Sequence, residues 1–299
     1  CKAQLVELQD RLEELQSSGI GIAAISYDSE EVLADFAQRR GISYPLLSDD
    51  DSALITEFGI LNTVAAEGVG PNADDPEVQA DVAKYVSRFG SNPMIVGTPY
   101  PGTFMLDVDG RVTSRFFEEF YSERNTTSNV MLKLGIGLSP IAAIEGSTAQ
   151  LKFTAYPSNS TVTVGTRFSI AIDVEPGPHM HVYAPGAEEM GYRVIGLKLA
   201  PTEHVRFEPV EFPESEIYYF EPLDERVPVY QRAFTLLQEI VVDVGAETES
   251  ALAELDALTI SGSFDYQACD DAICFNPVSV PLSFTLDLDL LDRQRAGRR

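Results

Sequence analysis

Cysteine is scarce in this chain, and its scarcity makes the few thiols informative. The 299 residues contain three cysteines, namely Cys1, Cys269 and Cys274. Four residues separate the last two, in the sequence YQACDDAICF, so this pair can switch between dithiol and disulfide. Redox chemistry is therefore the first hypothesis. Because the number of cysteines is odd, Cys1 is either free or separated from a partner that this sequence does not contain.

Basic side chains and long apolar runs are also lacking. The chain has 21 basic and 47 acidic residues, which gives a formal net charge of −26. A nucleic-acid backbone requires a basic patch, so we exclude nucleic acid as a partner. No apolar run approaches the roughly 20 residues of a membrane-spanning helix, so we expect no transmembrane segment in this chain. We find no nucleophile elbow or phosphate-binding glycine loop, and we expect no cofactor.

The first part of the chain alternates between strand and helix patterns. The predicted elements are a helix over 2–17, a strand over 20–27, a helix over 28–40, a strand over 42–47 and a helix over 52–58. Asp28 and Glu31 form a capping-box pair at the start of the second helix. Residues 62–100 are predicted to be an insertion with one helix at 76–89. This alternation is typical of α/β architecture.

A hairpin is predicted to end the sheet of the α/β part. Strands are expected at 103–108 and 111–117, joined by Asp109-Gly110 in a two-residue type I′ turn. A helix over 126–134 should close this part, and residues 135–150 have the composition of a linker.

The second half has the pattern of an all-β sandwich. Strands are predicted at 151–156, 161–164, 168–174, 194–199, 227–234, 258–266 and 278–286. Turn residues separate these runs at short intervals. We therefore predict two domains, over residues 1–137 and 148–290.

Residues 1 to about 135 resemble the thioredoxin-like redoxins of the AhpC/TSA family. The resemblance rests on the helix start CKAQL and on PGTFMLD at 101–107 with Asp109-Gly110 after it. It implies a thioredoxin-like fold that is truncated at its amino terminus, with Cys1 at the reactive position. It also implies that Pro101 is a cis-proline facing that cysteine. Residues upstream of Cys1 would decide between a Cys-x-x-Cys oxidoreductase and a Thr-x-x-Cys peroxidase.

Residues about 148 to 288 resemble the immunoglobulin-like amino-terminal domain of the DsbD family. The resemblance rests on the stretches HVYAPG at 181–186, YYF at 218–220 and YQAC at 266–269, together with Cys274 and Pro277. It implies that Cys269 and Cys274 exchange disulfides under a cap of aromatic side chains, for which Tyr218, Tyr219 and Phe220 are the candidates. The spacing of four residues differs from five in the best-known member.

Other interpretations of the cysteine pair remain open. A strand, tight turn and returning strand can bring two α-carbons within the usual 4.4 to 6.8 Å of a disulfide, whether the bond is exchanged or is an inert clamp. Zinc would be under-coordinated with two cysteines alone. Asp270 and Asp271 should raise the pKa of the neighbouring thiols by charge repulsion, so that reactivity waits for a docked partner.

Cys1 and the histidines also have alternative interpretations. A thiol at a helix amino terminus is favoured as a thiolate, which suits a nucleophile or a resolving thiol. Cys1 is alternatively a lipidated amino terminus. His179 and His181 should share one face of a strand, where they either pack or bind copper or zinc, and we favour packing.

The sequence therefore predicts a thiol-disulfide oxidoreductase in an oxidising periplasmic or other extracytoplasmic compartment. It would act through Cys269 and Cys274 and through a thioredoxin-like site at Cys1, with protein thiols, protein disulfides or a thioredoxin-type electron donor as partners. One domain would pass electrons to the other or to a shared partner. The alternatives are a thiol peroxidase that uses Cys1 and a binding module with a structural disulfide.

Overall fold

The computed structural model describes residues 2–89, 99–117, 123–136, 140–221 and 224–289. Cys1 lies outside these ranges. The helices before the sandwich are α1 Lys2–Asp10, α2 Leu12–Ser17, α3 Glu30–Arg40, α4 Ala53–Glu57, α5 Thr63–Glu67, α6 Pro76–Phe89 and α7 Thr127–Lys133. The strands are β1 Ala24–Ser26, β2 Leu46–Ser48, β3 Gly102–Leu106, β4 Val112–Phe117 and β5 Arg124–Asn125.

The α/β character of the first part is confirmed. Strands β1 and β2 are parallel and are connected through α3. The predicted helix over 2–17 breaks at Arg11 into α1 and α2, whereas α6 occupies the predicted residues. Leu15 is buried in contact with Met131 of α7, so the leucine pattern marks the packed face of the helix pair.

The predicted capping-box pair of Asp28 and Glu31 is wrong. The residue before α3 is Ser29, without a side-chain capping bond, and Asp28 instead accepts a hydrogen bond from the Ser26 hydroxyl at 2.7 Å. A serine hydroxyl two residues away therefore competes with the capping arrangement for the Asp28 carboxylate.

The hairpin of β3 and β4 is confirmed, but its turn is longer than predicted. The Asp107 amide donates to the Arg111 carbonyl, and the Gly110 amide donates to the Asp107 carbonyl. Of the loop residues, Gly110 alone has a positive φ, of 80°, whereas a type I′ turn needs two such residues. In the described residues β3 and β4 form their own two-stranded sheet and do not extend the β1–β2 sheet.

The second part is the expected β-rich sandwich. Its strands are β6 Ile144–Ser147, β7 Leu151–Pro157, β8 Thr161–Val162, β9 Thr166–Pro176, β10 His181–Tyr183, β11 Gly196–Leu199, β12 Val205–Glu211, β13 Glu216–Phe220, β14 Glu225–Tyr230, β15 Phe234–Val242, β16 Ala257–Tyr266, β17 Ala268–Cys269 and β18 Val278–Leu288. A 3₁₀ turn lies at Ala187–Met190, and α8 spans Ala246–Leu252.

These strands form three sheets. The six-stranded sheet has the order β12-β15-β9-β7-β6, with β5 also paired to β9, and the second sheet has the order β11-β16-β18-β8. We call the third, with the order β13-β14-β10-β17, the cysteine sheet. The six-stranded and second sheets enclose the main core, in which Phe168, Ile240, Phe264 and Phe284 are almost fully buried. Alternation of buried and exposed residues along β18 places one of its faces in this core.

The linker prediction is wrong where β6 forms. Residues 144–147 lie inside the expected linker, but they pair antiparallel with β7 from Ile144–Ala155 to Ser147–Lys152. A short run between Gly and Ser residues gives little strand signal, and the pairing with a neighbouring strand supplies the order instead. No helix among the described residues has the length and apolar composition to cross a membrane.

Candidate functional site

Cys269 and Cys274 form a disulfide across a tight hairpin at one end of the sandwich. Their α-carbons are 4.0 Å apart, closer than expected, because the two residues face each other as a cross-strand pair. The Asp270 amide donates to the Ile273 carbonyl at 3.0 Å, which closes the turn. The Phe275 amide then donates to the Ala268 carbonyl at 2.9 Å. The sequence CDDAIC thus folds as the strand, turn and return that its spacing allows.

The two sulfur-bearing residues differ in exposure. Cys269, in β17, is 1% exposed and belongs to an apolar cluster with Val227 and Val229. Cys274, on the returning side of the turn, is exposed. An attacking thiolate needs access to a sulfur, so Cys274 is the accessible end of this bond.

Tyr183 contacts both sulfurs. Its hydroxyl lies 3.0 Å from Cys269 Sγ and 3.3 Å from Cys274 Sγ, and it is the donor because a disulfide sulfur carries no hydrogen. Burial, with smaller contributions from Tyr192 and Glu225, raises the pKa of Tyr183, so the hydroxyl keeps its proton. Sequence reasoning missed this role, although the HVY stretch and the alternation of a strand could have indicated it.

A second tyrosine supports the first. Tyr192 stacks on Tyr183 with ring centroids 4.3 Å apart and donates its hydroxyl to Glu225 Oε2 at 2.6 Å. The Glu225 hydrogen bond, with burial as a smaller cause, raises the pKa of Tyr192 to about 12. The stack fixes the plane of the Tyr183 ring and hence the position of the hydroxyl beside the sulfurs.

His181 lies beside Cys269 but makes no metal site. The two residues are register partners of β10 and β17, which puts their side chains on one face. His181 is 3% exposed, its ring lies 4.6 Å from the Tyr218 ring, and its Nδ1 has no hydrogen-bond partner. Burial lowers the pKa of His181, against the opposing charges of Asp271 and Asp270.

The prediction that His179 and His181 share a strand face is wrong. His179 precedes β10 and has a positive φ of 61°, so it belongs to the turn before the strand. Among the described residues no group of three or more His, Cys, Asp or Glu side chains could hold a metal ion.

Strand β13 covers the disulfide with two of the three predicted aromatic residues. Tyr218 and Phe220 line the same small cavity as both cysteines. Tyr219 does not: it is 47% exposed, donates to Asp224 Oδ1 at 2.9 Å and lies under Arg226. Because successive side chains of a strand point to opposite faces, the assignment of Tyr219 to the cap is wrong.

The two aspartates of the turn have different partners. Asp270 Oδ1 accepts the amides of Ala272 and Ile273 at 2.7 Å each, and these bonds lower the pKa of Asp270. Asp271 Oδ1 accepts the Tyr218 hydroxyl at 2.8 Å. Burial and then this bond raise the pKa of Tyr218. Tyr218 therefore links β13, which we call the cap strand, to the hairpin that carries Cys269 and Cys274.

The predicted site at the other end of the chain is only partly described. Cys1 lies outside the described residues. The prediction that Pro101 is cis is wrong, since the described residues contain no cis peptide bond. An X-Pro bond prefers the trans form unless its surroundings impose the cis form. Here Pro99 bridges to Leu61 and the Tyr100 amide donates to the Ile60 carbonyl at 2.6 Å, which holds the preceding backbone extended.

Two family models match separate parts of the chain. Residues 1–115 match the AhpC/TSA family, and residues 151–283 match the family described as thiol:disulfide interchange protein DsbD, N-terminal. The two matches follow one another without overlap. The chain therefore joins two segments that are both similar to thiol-redox families.

The curated relatives match a shorter stretch. Peroxiredoxin Bcp of Escherichia coli K12 is 35% identical over 60 residues, which are 20% of this chain and 38% of the relative. A putative peroxiredoxin of Mycobacterium tuberculosis is 36% identical over 59 residues, again 20% of this chain and 38% of the relative. The chain thus spans less than two fifths of the length of these relatives.

Two solved structures are also similar. The N-terminal periplasmic domain of ScsB from Proteus mirabilis has a TM-score of 0.34 and 11% identity, over 49% of this chain and 50% of that one. AhpC of Enterococcus faecalis has a TM-score of 0.29 and 20% identity, over 47% of this chain and 72% of that one. Scores this low carry no argument about this chain.

Proposed function

We propose that this chain, which joins a segment matching the AhpC/TSA family to one matching the DsbD amino-terminal family, is a thiol-disulfide oxidoreductase. Its reactive group is the Cys269–Cys274 bond. The observation that carries the proposal is the asymmetry of that bond, with Cys274 exposed and Cys269 buried against the Tyr183 hydroxyl. An inert clamp needs neither an accessible sulfur nor a hydroxyl placed between the two sulfurs.

The reaction begins at the accessible sulfur. A thiolate of a partner protein attacks Cys274 Sγ, a bond forms between the partner and Cys274, and the Cys269–Cys274 bond breaks. The electron pair leaves on Cys269 Sγ, where the Tyr183 hydroxyl, 3.0 Å away, donates to the forming thiolate. A charge-assisted hydrogen bond of this kind stabilises the leaving group inside an apolar cluster.

A second thiol of the partner completes the exchange. It attacks the partner's own sulfur in the mixed disulfide, so Cys274 leaves as a thiolate and the partner becomes oxidised. The chain then holds two thiols, having gained two electrons and two protons. All steps reverse when an oxidised partner meets the reduced chain, and the relative potentials of the two proteins set the direction.

The cap strand and the aspartates limit how the bond is attacked. Tyr218 is hydrogen-bonded to Asp271, so β13 screens the buried Cys269 side of the bond and leaves the exposed Cys274 as the point of attack. We propose that Asp270 and Asp271 also raise the pKa of the reduced thiols by charge repulsion. This repulsion keeps the reduced thiols weakly reactive until a docked partner screens the two aspartates.

Trapping of the mixed disulfide tests this function. We expect Cys269→Ser, which leaves Cys274, to form a stable covalent complex with a thioredoxin-type protein that keeps only its attacking cysteine and carries it as a mixed disulfide with a small thiol, since the Cys274 thiolate then displaces the small thiol. The matched variant Cys274→Ser leaves the buried Cys269 and should trap far less. Mass spectrometry of the wild-type chain after graded reduction gives the potential of the bond. A bond that resists every physiological dithiol would leave only a structural disulfide and would disprove the exchange function.

A thiol peroxidase activity at Cys1 is a second candidate, favoured by the match of residues 1–115 to the AhpC/TSA family and by the similarity of part of the chain to peroxiredoxins. In that reaction a thiolate attacks one peroxide oxygen, the O–O bond breaks, and a sulfenic acid and an alcohol or water result. Peroxide consumption by the wild-type chain and its loss in Cys1→Ser would support it. Equal consumption by the two proteins would exclude it.

We propose an extracytoplasmic location for the protein. A reversible disulfide in a resting chain persists in oxidising compartments and is reduced in the cytosol. Fractionation of the source cells, with the Cys269–Cys274 bond assayed by alkylation, tests this. Recovery of the chain in the cytosolic fraction, with both cysteines reduced, would overturn it.

A further inference from the structure

Helix α1 is attached to the sandwich by one carboxylate. Glu7 accepts the amides of Thr127 and Ser128 at 2.9 and 3.2 Å, and also the Ser128 hydroxyl at 2.9 Å. Its Oε1 further accepts Asn159 Nδ2 at 2.8 Å. Gln4, one turn earlier, donates to the Asn125 carbonyl at 3.0 Å. These residues, which we call the Glu7 dock, join α1 to the start of α7 and to the turn after β7.

The residues that Glu7 and Gln4 contact are themselves attached to the sandwich. Strand β5 pairs with the beginning of β9, from Arg124–Thr166 to Asn125–Arg167. The Thr126 hydroxyl donates to Asn159 Oδ1 at 2.6 Å. At the other end of α7, Lys133 forms an ion pair with the buried Glu239 of β15. Helix α7 is therefore held at the end of the sandwich where β9 begins.

The disulfide lies at the end of the sandwich opposite to the Glu7 dock, as the course of the strands in both main sheets shows. In the six-stranded sheet, β9 runs from its pairing with β5 to Pro176, a span of about 30 Å at 3.3 Å per residue, before the chain turns into β10 beside Cys269. In the second sheet, β18 pairs with Thr161 next to Asn159 and with Ala257 of β16. Strand β16 then runs another about 30 Å to Tyr266, three residues before Cys269.

We infer that the Cys269–Cys274 bond exchanges with thiols of another molecule and not with Cys1 of its own chain. Cys1 belongs to the redoxin-type segment, at the start of this sequence. Three residues link it to Gln4, so at full extension its α-carbon reaches no more than ~11 Å from the Glu7 dock. That reach is much shorter than the length of the sandwich. The inference rests on the proposed exchange function and argues against the expected transfer between the two domains where that transfer runs through Cys1.

The surface around the disulfide also indicates what the other molecule offers. Ile273 is 58% exposed at the tip of the hairpin, and Asp270 and Asp271 flank it. A protein whose dithiol is surrounded by apolar and basic side chains complements this rim. In each exchange its two thiols become a disulfide while Cys269 and Cys274 become two thiols.

Oxidation of single-thiol variants tests the inference. Cys269→Ser retains Cys1 and Cys274, and Cys274→Ser retains Cys1 and Cys269, so a failure of one variant to fold leaves the other. We expect a mild thiol oxidant to give disulfide-linked dimers of the full chain, at a rate that rises with protein concentration. Spin labels on the two thiols of Cys269→Ser should lie about 20 Å apart or more by pulsed electron resonance, which is the length of the sandwich less the reach of Cys1.

The contrary result is specific. In either variant, a monomeric disulfide between Cys1 and the remaining cysteine of the pair, formed at a rate independent of protein concentration, would overturn the inference. The outcome is separable from that of the proposed function, which is measured on the wild-type bond with an added dithiol protein. If that bond proves inert while the variants form only dimers, the exchange function fails and the separation of the two thiol groups stands.

Discussion

At the scale of single residues, one hydroxyl group connects the two sulfurs to the protein interior. Tyr183 donates toward both Cys269 and Cys274, and burial raises its pKa. The hydroxyl therefore keeps its proton, and remains a donor, at pH values at which a free tyrosine begins to ionise. Its partner in the exchange reaction is the sulfur that leaves, since negative charge develops there.

Replacement of this hydroxyl should slow the exchange. We expect Tyr183→Phe to lower the rate constant for reduction of the bond by a dithiol by about tenfold, because a hydrogen bond to a charged group contributes about 1.5 kcal/mol or more. Stopped-flow measurement with a small dithiol gives the rate. Tyr219→Phe is the matched control, since Tyr219 lies on the outer face of the cap strand. Equal rates for all three proteins would mean that the hydroxyl has no part in the reaction.

His181 should make stability depend on pH. Its folded pKa is lowered, so below about pH 6.5 the unfolded chain binds a proton that the folded chain does not. As the pH is lowered from about 6.5, the free energy of unfolding should therefore decrease by up to about 1.4 kcal/mol per pH unit, until the pKa of His181 in the folded protein is reached. Chemical denaturation of wild type and His181→Phe across this range measures the difference. A constant difference between the two proteins would show that His181 does not titrate on unfolding.

Sequence reasoning reached the right residues around the cysteines but not all of their roles. The pattern of YYF at 218–220 predicts aromatic cover, and strand alternation then separates Tyr218 and Phe220 from Tyr219. Which of these side chains cover the disulfide depends on which face of β13 points inward. A run of three aromatic residues does not show this from sequence. Tyr183 escaped notice because its contact with the sulfurs joins residues 86 positions apart.

At the scale of elements, the pairing of β11 with β16 depends on a glycine. A β-carbon at Gly262 would lie 2.3 Å from the Lys198 carbonyl oxygen and 2.9 Å from the Leu199 α-carbon. We expect Gly262→Ala to destabilise the protein by about 1–3 kcal/mol, because backbone atoms of β11 must move. Gly196→Ala, on β11 itself, meets nothing within 4 Å and serves as the control. Thermal unfolding compares the two, and equal midpoints would contradict the expectation.

The elements that were predicted best are those with a strong local signal. Helix α6 combines a proline at its first position with helical periodicity, and its bounds are those expected. Strand β6 and the short β5 carry no such signal and form because β7 and β9 offer them open edges. Likewise, the expected strand over 227–234 divides at Gln231, where the chain passes from the cysteine sheet to the six-stranded sheet.

At the scale of the whole molecule, the Glu7 dock should behave as one unit. We expect Glu7→Ala to accelerate hydrogen exchange at the amides of Thr127 and Ser128 by about tenfold or more, because it removes a charged acceptor that contributes about 1.5–3 kcal/mol. Mass-spectrometric hydrogen exchange resolves this segment. Glu13→Ala, on the exposed side of α2, is the control. The rate of disulfide reduction should stay as in wild type, since the bond lies at the other end of the sandwich.

The two halves of the chain were predictable from composition and pattern, whereas their attachment was not. The Glu7 dock joins residues 120 and more positions apart, and a lone glutamate on an amphipathic helix is normally a solvated side chain. Buried charges at the same junction, such as Glu123 with Arg167, likewise have no sequence signature. Helix α7, which was expected to close the first domain, contacts both Glu7 of α1 and Glu239 of β15.

These contacts determine which fragments of the chain could be expressed as a folded sandwich. A fragment that begins at residue 148 would lack β5 and β6, which pair with β9 and β7. The unpaired backbone groups of β9 and β7 would then be exposed. It would also leave Glu239 without Lys133. Such a fragment should aggregate during purification, whereas one that starts before Glu123 retains the full sheet. We therefore expect the practical boundary of the sandwich to precede α7. That boundary lies upstream of residues 135–150, whose composition is that of a linker.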